Sequence, residues 1–228
     1  ESDKEGAPND TNEKHNDTIQ KTFLHEEGRK LTQWKDQLLF LQKVVAPAAN
    51  SLPVECGGGG DCFFKAVVCL LQCREYSEAK NATAVVLGVD QIHRMALALR
   101  WTASKFLRSN SKQYLRHIAI DPGETANNVV DYCNSMSQAG TYATQPIIQA
   151  TADLLGAPIH IYTSFTDKLQ EPVKVDPTTQ ARLASPLVLG QLGEEHYIAF
   201  KPKSYPPLTI IDQHCVDQQR YTDAVATI

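Results

Sequence analysis

The sequence predicts an α+β fold with one small, mainly antiparallel sheet flanked by helices. Two observations carry this. Segments of helical periodicity occupy the first two thirds of the 228 residues. Short segments rich in β-branched and aromatic residues, parted by Gly and Pro, occupy the last third. The hydrophobic content of 42% is enough for one domain with a full core.

In chain order, residues 1–20, "ESDKEGAPNDTNEKHNDTIQ", are polar and nearly free of large apolar side chains. Such a segment cannot bury enough surface to offset its ordering entropy, so a disordered tail is expected there, with a single domain over 21–228. Leu24, Leu31, Trp34, Leu38, Leu39 and Leu41 recur at helical spacing, which predicts an amphipathic helix from about 21 to 45. Pro47 and Pro53 bracket a loop leading to Gly57–Gly60. "FFKAVVCLLQCR", Phe63 to Arg74, is apolar almost all round and reads as a central helix. "DQIHRMALALRWTASKFLRSN" reads as a second long helix, with Asp90 as N-cap and a stripe of Ile92, Met95, Ala96, Leu99, Ala103, Phe106 and Leu107. Asp121-Pro122-Gly123 is a turn signal. "NVVDYCNSMSQ" and "TQPIIQATADLLGAP" read as shorter helices, the latter stopped by Gly156 and Pro158. "IHIYTS", "PLVLGQL", "EHYIAFKP" and "PLTIID" read as strands.

The net charge of −4 and pI of about 6.0 argue against a polyanion partner, because phosphate binding needs clustered Lys and Arg. A small molecule or a protein suits the mild acidity better, and nucleic acid is not expected. The six cysteines form no C-x-x-C pair, and no His cluster completes a zinc set around Cys69 and Cys73. They read as reduced thiols of an intracellular protein, cytoplasmic or nuclear. No segment is apolar for long enough to span a bilayer and none reads as a signal peptide, so no membrane association is expected.

The stretch with most chemistry is "ECGGGGDC". A thiol at a helix N-terminus lies near unpaired N–H groups and the positive end of the macrodipole, both of which favour thiolate, the nucleophilic form. Glycines before it tolerate positive φ and bring N–H donors close to a reacting atom, where they can stabilise a developing oxyanion. Cys62 is therefore a candidate nucleophile; the competing reading is an inert core cysteine in front of a flexible loop. A nucleophilic cysteine needs a base. Of seven histidines, His15 falls in the tail, His25, His93 and His117 in or beside helical runs, His160 on a solvent-facing strand position, and His214 near the C-terminus. His196 opens the apolar strand "HYIAF" at the lip of the sheet, where a cleft could lie.

"GGGGDCFFKAV" with the downstream "EEHYIAF" resembles the ovarian tumour (OTU) family of cysteine proteases, mostly deubiquitinases. In that family a D-G-x-C loop opens the central helix, and His followed by an aromatic begins a late strand. "IHRMALALRWTASKFLRSNSKQYLRHI" is similar to the family's long helix and its sequel, and "YCNSMSQAGTYATQPIIQATADLLGAPIHIY" to the small helix, G-T-W-G-like turn and helix leading into a strand. The likeness runs from about Val54 to Phe200. It implies a papain-like OTU fold, with Cys62 as nucleophile, His196 as general base, and the backbone N–H groups of Gly59, Gly60, Asp61 and Cys62 as the oxyanion loop. It also implies hydrolysis of an isopeptide or peptide bond after the C-terminal glycine of ubiquitin or a ubiquitin-like protein, through a thioester. Neither metal nor organic cofactor is implied, and a monomer is expected.

Two positions depart from the family pattern. Gly59 stands where an acid usually lies three residues before the cysteine, and Ile198 where Asp or Asn usually orients the imidazole. Glu194 is the first candidate for the third member, because an extended strand would place it on the same side as His196; a solvated loop carboxylate is the competing reading. Asp61 suits an oxyanion position or plain solvent exposure better than orienting the ring. Asp212 would qualify if the last strand paired beside "HYIAF". The missing acid leaves open an inactive ubiquitin-binding module on the same fold. A protease that processes its own polyprotein is a further alternative.

Overall fold

The computed structural model describes residues 30–79, 83–118, 129–194 and 196–212. The expected 1–20 tail, the first part of the expected 21–45 helix and the 121–123 turn lie outside these residues. Lys30 forms an isolated antiparallel bridge with Thr166, and the Leu31 N–H donates to the Phe165 carbonyl at 2.8 Å. The first helix, α1, is Trp34–Phe40, continued by a π-helical segment Leu41–Val45 and a last turn Ala46–Ala48.

Strand β1 is Ser51–Val54 and takes up part of the segment expected to be loop between Pro47 and Pro53. It lies at the edge of the sheet, where a proline is tolerated. Helix α2 is Cys62–Glu78, and its apolar residues reach all round because it is packed on both sides. Strand β2 (Val85–Gly88) runs straight into α3 (Val89–Ser109). Gly88, with extended backbone, takes the N-cap position expected for Asp90, and Asp90 sits in the first turn near the helix's positive end. Helices α4 (Ser111–Ile118), α5 (Val129–Met136) and α6 (Gln145–Leu155) follow. Gly156 ends α6 in the left-handed conformation at φ +60°, as its composition predicted.

The remaining strands are β3 (Ile159–Thr163), β4 (Val173–Val175), β5 (Leu187–Leu192), β6 (His196–Pro202) and β7 (Leu208–Ile211). Four of them join β1 in a five-stranded sheet of order β1-β6-β5-β3-β4, parallel only between β3 and β5. Strands β2 and β7 form a separate parallel pair.

Apolar layers cover both faces of the large sheet. Phe63, Val67 and Leu70 of α2 belong to the larger cluster, with residues of α3, α5 and α6 and with Tyr197 and Ala199 of β6. Phe40, Leu41 and Val45 pack on the other face against Leu192, Ile198 and Phe200. Strand alternation explains the division: odd positions of β6 turn to α2 and even positions to α1. Ile198, two residues after His196, is thus a core residue of the smaller layer.

Candidate active site

Cys62 is the first residue of α2 and is 1% exposed. The Tyr197 N–H of β6 donates to its Sγ at 3.4 Å. That contact brings the start of α2 against the start of β6, beside His196. The imidazole Nε2 lies 3.0 Å from Glu55 Oε2, which leaves Nδ1 for the thiol. A hydrogen bond with Cys62, then one with Glu55, raise the imidazole pKa to about 9 against the opposing effect of burial. The ring therefore stands between a thiol and a carboxylate, in the order that general-base activation of a nucleophile needs.

The carboxylate that meets the imidazole is Glu55, in place of the expected Glu194. Strands β5 and β6 end at the pair Leu192↔His196, so Glu194 falls within the connecting turn, which Gly193 enters at φ +56°. The strand alternation that would have placed Glu194 beside His196 does not extend that far. Glu194 is exposed, and its backbone carbonyl accepts from Gln191 Nε2 at 3.3 Å. Asp212 is also displaced, because β7 pairs with β2 and not beside β6. Glu55 follows β1, the antiparallel neighbour of β6, and so reaches the imidazole from the adjacent strand. Its Oε1 accepts the Gly57 N–H at 3.0 Å, leaving Oε2 for His196. Burial pushes the Glu55 carboxyl up, but the hydrogen bond and charge of His196 and the backbone donors of Gly57 and Cys56 outweigh it, and the pKa is lowered.

Gly57 and Gly59 take φ +95° and +81°, a conformation that disfavours any side chain. The Cys62 N–H closes a turn onto the Gly59 carbonyl at 3.0 Å. Of the four expected oxyanion donors, this one is thus engaged within the loop. The N–H groups of Gly59, Gly60 and Asp61 make no hydrogen bond among the described residues. Asp61 is neither solvent-exposed nor turned to the cleft. It is buried, accepts Arg100 Nε at 2.8 Å on Oδ1, and receives the Gly140 N–H at 3.2 Å on each oxygen.

Trp34 of α1, expected from its spacing only to lie in a helical stripe, is a neighbour of the site. Its ring centroid lies 6.2 Å from that of His196, and it is 54% exposed. The other described cysteines, Cys56, Cys69, Cys73 and Cys133, are free and buried. Hydrogen bonding with Cys69 and burial push the Cys56 thiol well up, and burial pushes Cys73 to about 11. His160 is half-buried, and burial lowers its pKa. Among the described residues no cluster of His, Cys, Asp and Glu could hold a metal ion, and no helix is long and apolar enough to cross a membrane.

The family model described as "OTU-like cysteine protease" matches residues 57–197. No curated protein matches the chain by sequence. Among solved structures, the OTUD1 OTU domain aligns with a TM-score of 0.53 at 15% identity, covering 73% of this chain and 95% of that one. A ceOTUB1 complex with ubiquitin aldehyde and UBC13~Ub aligns with a TM-score of 0.50 at 15% identity, covering 80% and 90%. An OTU deubiquitinase from Wolbachia pipientis wMel bound to ubiquitin has a TM-score of 0.48 at 12% identity, covering 69% and 99%. Trp34 and Glu55 both lie outside the matched stretch. With well over half of its length matched and the same fold around Cys62 and His196, the chain belongs to the OTU-like cysteine protease family.

Proposed function

We propose that this protein is a thiol-dependent hydrolase that cleaves isopeptide or peptide bonds after the C-terminal glycine of ubiquitin or a ubiquitin-like protein. The observation that carries the reading is the convergence of Cys62, His196 and Glu55 from three separate elements. Cys62 sulfur attacks the glycine carbonyl carbon, its proton having passed to His196, and the carbonyl electrons move onto oxygen. Collapse of this intermediate breaks the C–N bond, and His196 returns the proton to the leaving amine. Water, deprotonated by His196, then hydrolyses the thioester and restores the thiol. Glu55 holds the imidazole in the required orientation and favours its charged form. No step needs a cofactor.

Ubiquitin as substrate draws on the family and on the fold shared with a ceOTUB1 complex that contains ubiquitin aldehyde. The segment Gly140–Tyr142, packed against Gly60 and Asp61, is the proposed wall of the groove for the substrate's C-terminal tail. The inactive-module reading rested on a missing acid, and Glu55 removes that support. We assign the protein to a reducing, intracellular compartment, which suits six cysteines without a C-x-x-C pair, and to a monomeric state, which suits the family likeness.

The test is reaction with ubiquitin carrying a C-terminal electrophile. The wild type should form a covalent adduct, Cys62→Ala none, Glu55→Gln a slow one and Glu194→Gln a wild-type one. Ubiquitin binding without adduct would make the protein a binding module. Cleavage of peptides but not of ubiquitin chains would place it among proteases of another specificity.

A further inference from the structure

Arg100, in the middle of α3, is 0% exposed, and four of its N–H bonds are accounted for. Nε donates to Asp61 Oδ1 at 2.8 Å and Nη1 to the Met136 carbonyl at 2.9 Å. Nη2 donates to the carbonyls of Gly60 at 2.7 Å and Thr141 at 2.6 Å. The guanidinium carbon lies 4.5 Å from the centroid of the Phe64 ring. A charged side chain this deep is costly to bury, and two of its partners are the residues directly before Cys62.

In a trans peptide the carbonyl and the N–H point in opposite directions, and the described chain has no cis peptide. Drawing the Gly60 carbonyl inward onto Arg100 therefore turns the Asp61 N–H outward, away from the guanidinium. That N–H has no hydrogen-bond acceptor among the described residues. The arrangement is locked from the other side as well. A Cβ on Gly60 would lie 1.9 Å from the Gly140 carbonyl oxygen, and Gly140 in turn donates to Asp61.

We infer that Arg100 is a positioning residue that sets the Gly60–Asp61 peptide so that the Asp61 N–H serves as an oxyanion donor, with Asp61's carboxylate holding Arg100 in place. The inference rests on Cys62 being a nucleophile, but not on ubiquitin being the substrate. Lysine at 100 would keep the charge and lose the planar fork that reaches several acceptors at once. It should spare the thiol and damage the oxyanion site.

Two small probes separate these effects. N-acetylglycinal adds to Cys62 through its carbonyl carbon; the thiol proton passes to His196 and the carbonyl π electrons to oxygen, so its affinity depends on the oxyanion donors. Iodoacetamide alkylates the sulfur and releases iodide, with no oxyanion formed. For Arg100→Lys, aldehyde affinity should fall roughly 100-fold, in line with loss of one such donor, while the Cys62 alkylation rate stays near that of the wild type. A parallel fall in both, or no fall in either, overturns the inference. Asp61→Asn carries the same comparison should Arg100→Lys fail to fold.

The wild type supplies an independent readout. Gly60-Asp61 is the sole Gly–Asp pair in the 228 residues. Labelling with ¹³C-carbonyl glycine and ¹⁵N-aspartate therefore reports that peptide alone. On aldehyde binding the Asp61 N–H should shift strongly and the Gly60 carbonyl little; an unmoved Asp61 N–H overturns the inference. A wild type that reacts with iodoacetamide at Cys62 but not with ubiquitin probes would remove the substrate reading and leave this one standing.

Discussion

At the scale of single residues, the site depends on how Glu55 and Cys62 share one imidazole. His196 has its pKa raised to about 9, by Cys62 first and Glu55 second. The imidazolium, the proposed donor to the leaving amine, should therefore persist until pH rises through about 9. Replacing Glu55 by Gln removes one cause of that shift. The alkaline limb of kcat/KM against pH should then move to lower pH, and the rate should fall roughly 100- to 10,000-fold, the range for losing an acid–base arrangement. An unchanged limb would show that Glu55 does not act on the ring. Trp34 offers an optical check, because an imidazolium quenches a nearby indole more than a neutral ring does. The chain has two tryptophans. In Trp101→Phe, the fluorescence of Trp34 should rise as pH passes about 9, and His196→Ala should abolish the step.

At the scale of elements, the loop before Cys62 is fixed by what packs around it, and its glycines are not equivalent. Gly57 and Gly59 are required by positive φ, whereas Gly60 is required by space. Gly60→Ala must push the loop away from Gly140, and overpacking of this kind costs about 1–3 kcal/mol. Thermal unfolding would register the loss, and hydrolysis should fall further than stability alone explains. Asp61→Ala leaves the buried Arg100 unpaired, which costs about 3–5 kcal/mol, measurable by urea unfolding. Periodicity and composition foretold α2, α3, α5, α6 and the strands carrying His160, Leu189, His196 and Ile210. Helix α4 and strands β1, β2 and β4 were hidden, the strands by Pro53 in β1 and by lengths of four and three residues in β2 and β4. Cys62 and His196 were readable because each opens an apolar element after a turn. Glu55 was not, because its place beside His196 depends on the pairing of β1 with β6, and no local pattern encodes that pairing. The role of Arg100 was equally hidden, since on a helical wheel it is one more polar residue.

At the scale of the whole molecule, the two apolar layers make the sheet a shared wall. Leu41 is fully buried in the layer that also holds Ile198 and Phe200. Leu41→Ala should cost about 2–5 kcal/mol and should loosen α1, which carries Trp34, before it disturbs α2. Hydrogen exchange should show protection falling first in α1 and only later in α2; a fall in α2 first would contradict this order. Stability should also follow pH. The raised pKa of His196 contributes stability that is full below 6.5 and is lost as pH rises through about 9. The lowered pKa of Glu55 contributes stability present above 4.5 and lost as pH falls through its depressed value. His196→Ala should flatten both flanks of the stability curve. The pairing of β1 with β6 has one more consequence, for the order of events during synthesis. Glu55 and His196 are 141 residues apart, and Cys62 and Tyr197 are 135 apart. Contacts this distant form late, after the intervening loop has been closed. A nascent chain exposes the thiol long before the imidazole leaves the ribosome, so Cys62, Glu55 and His196 can meet only after β6 has been made.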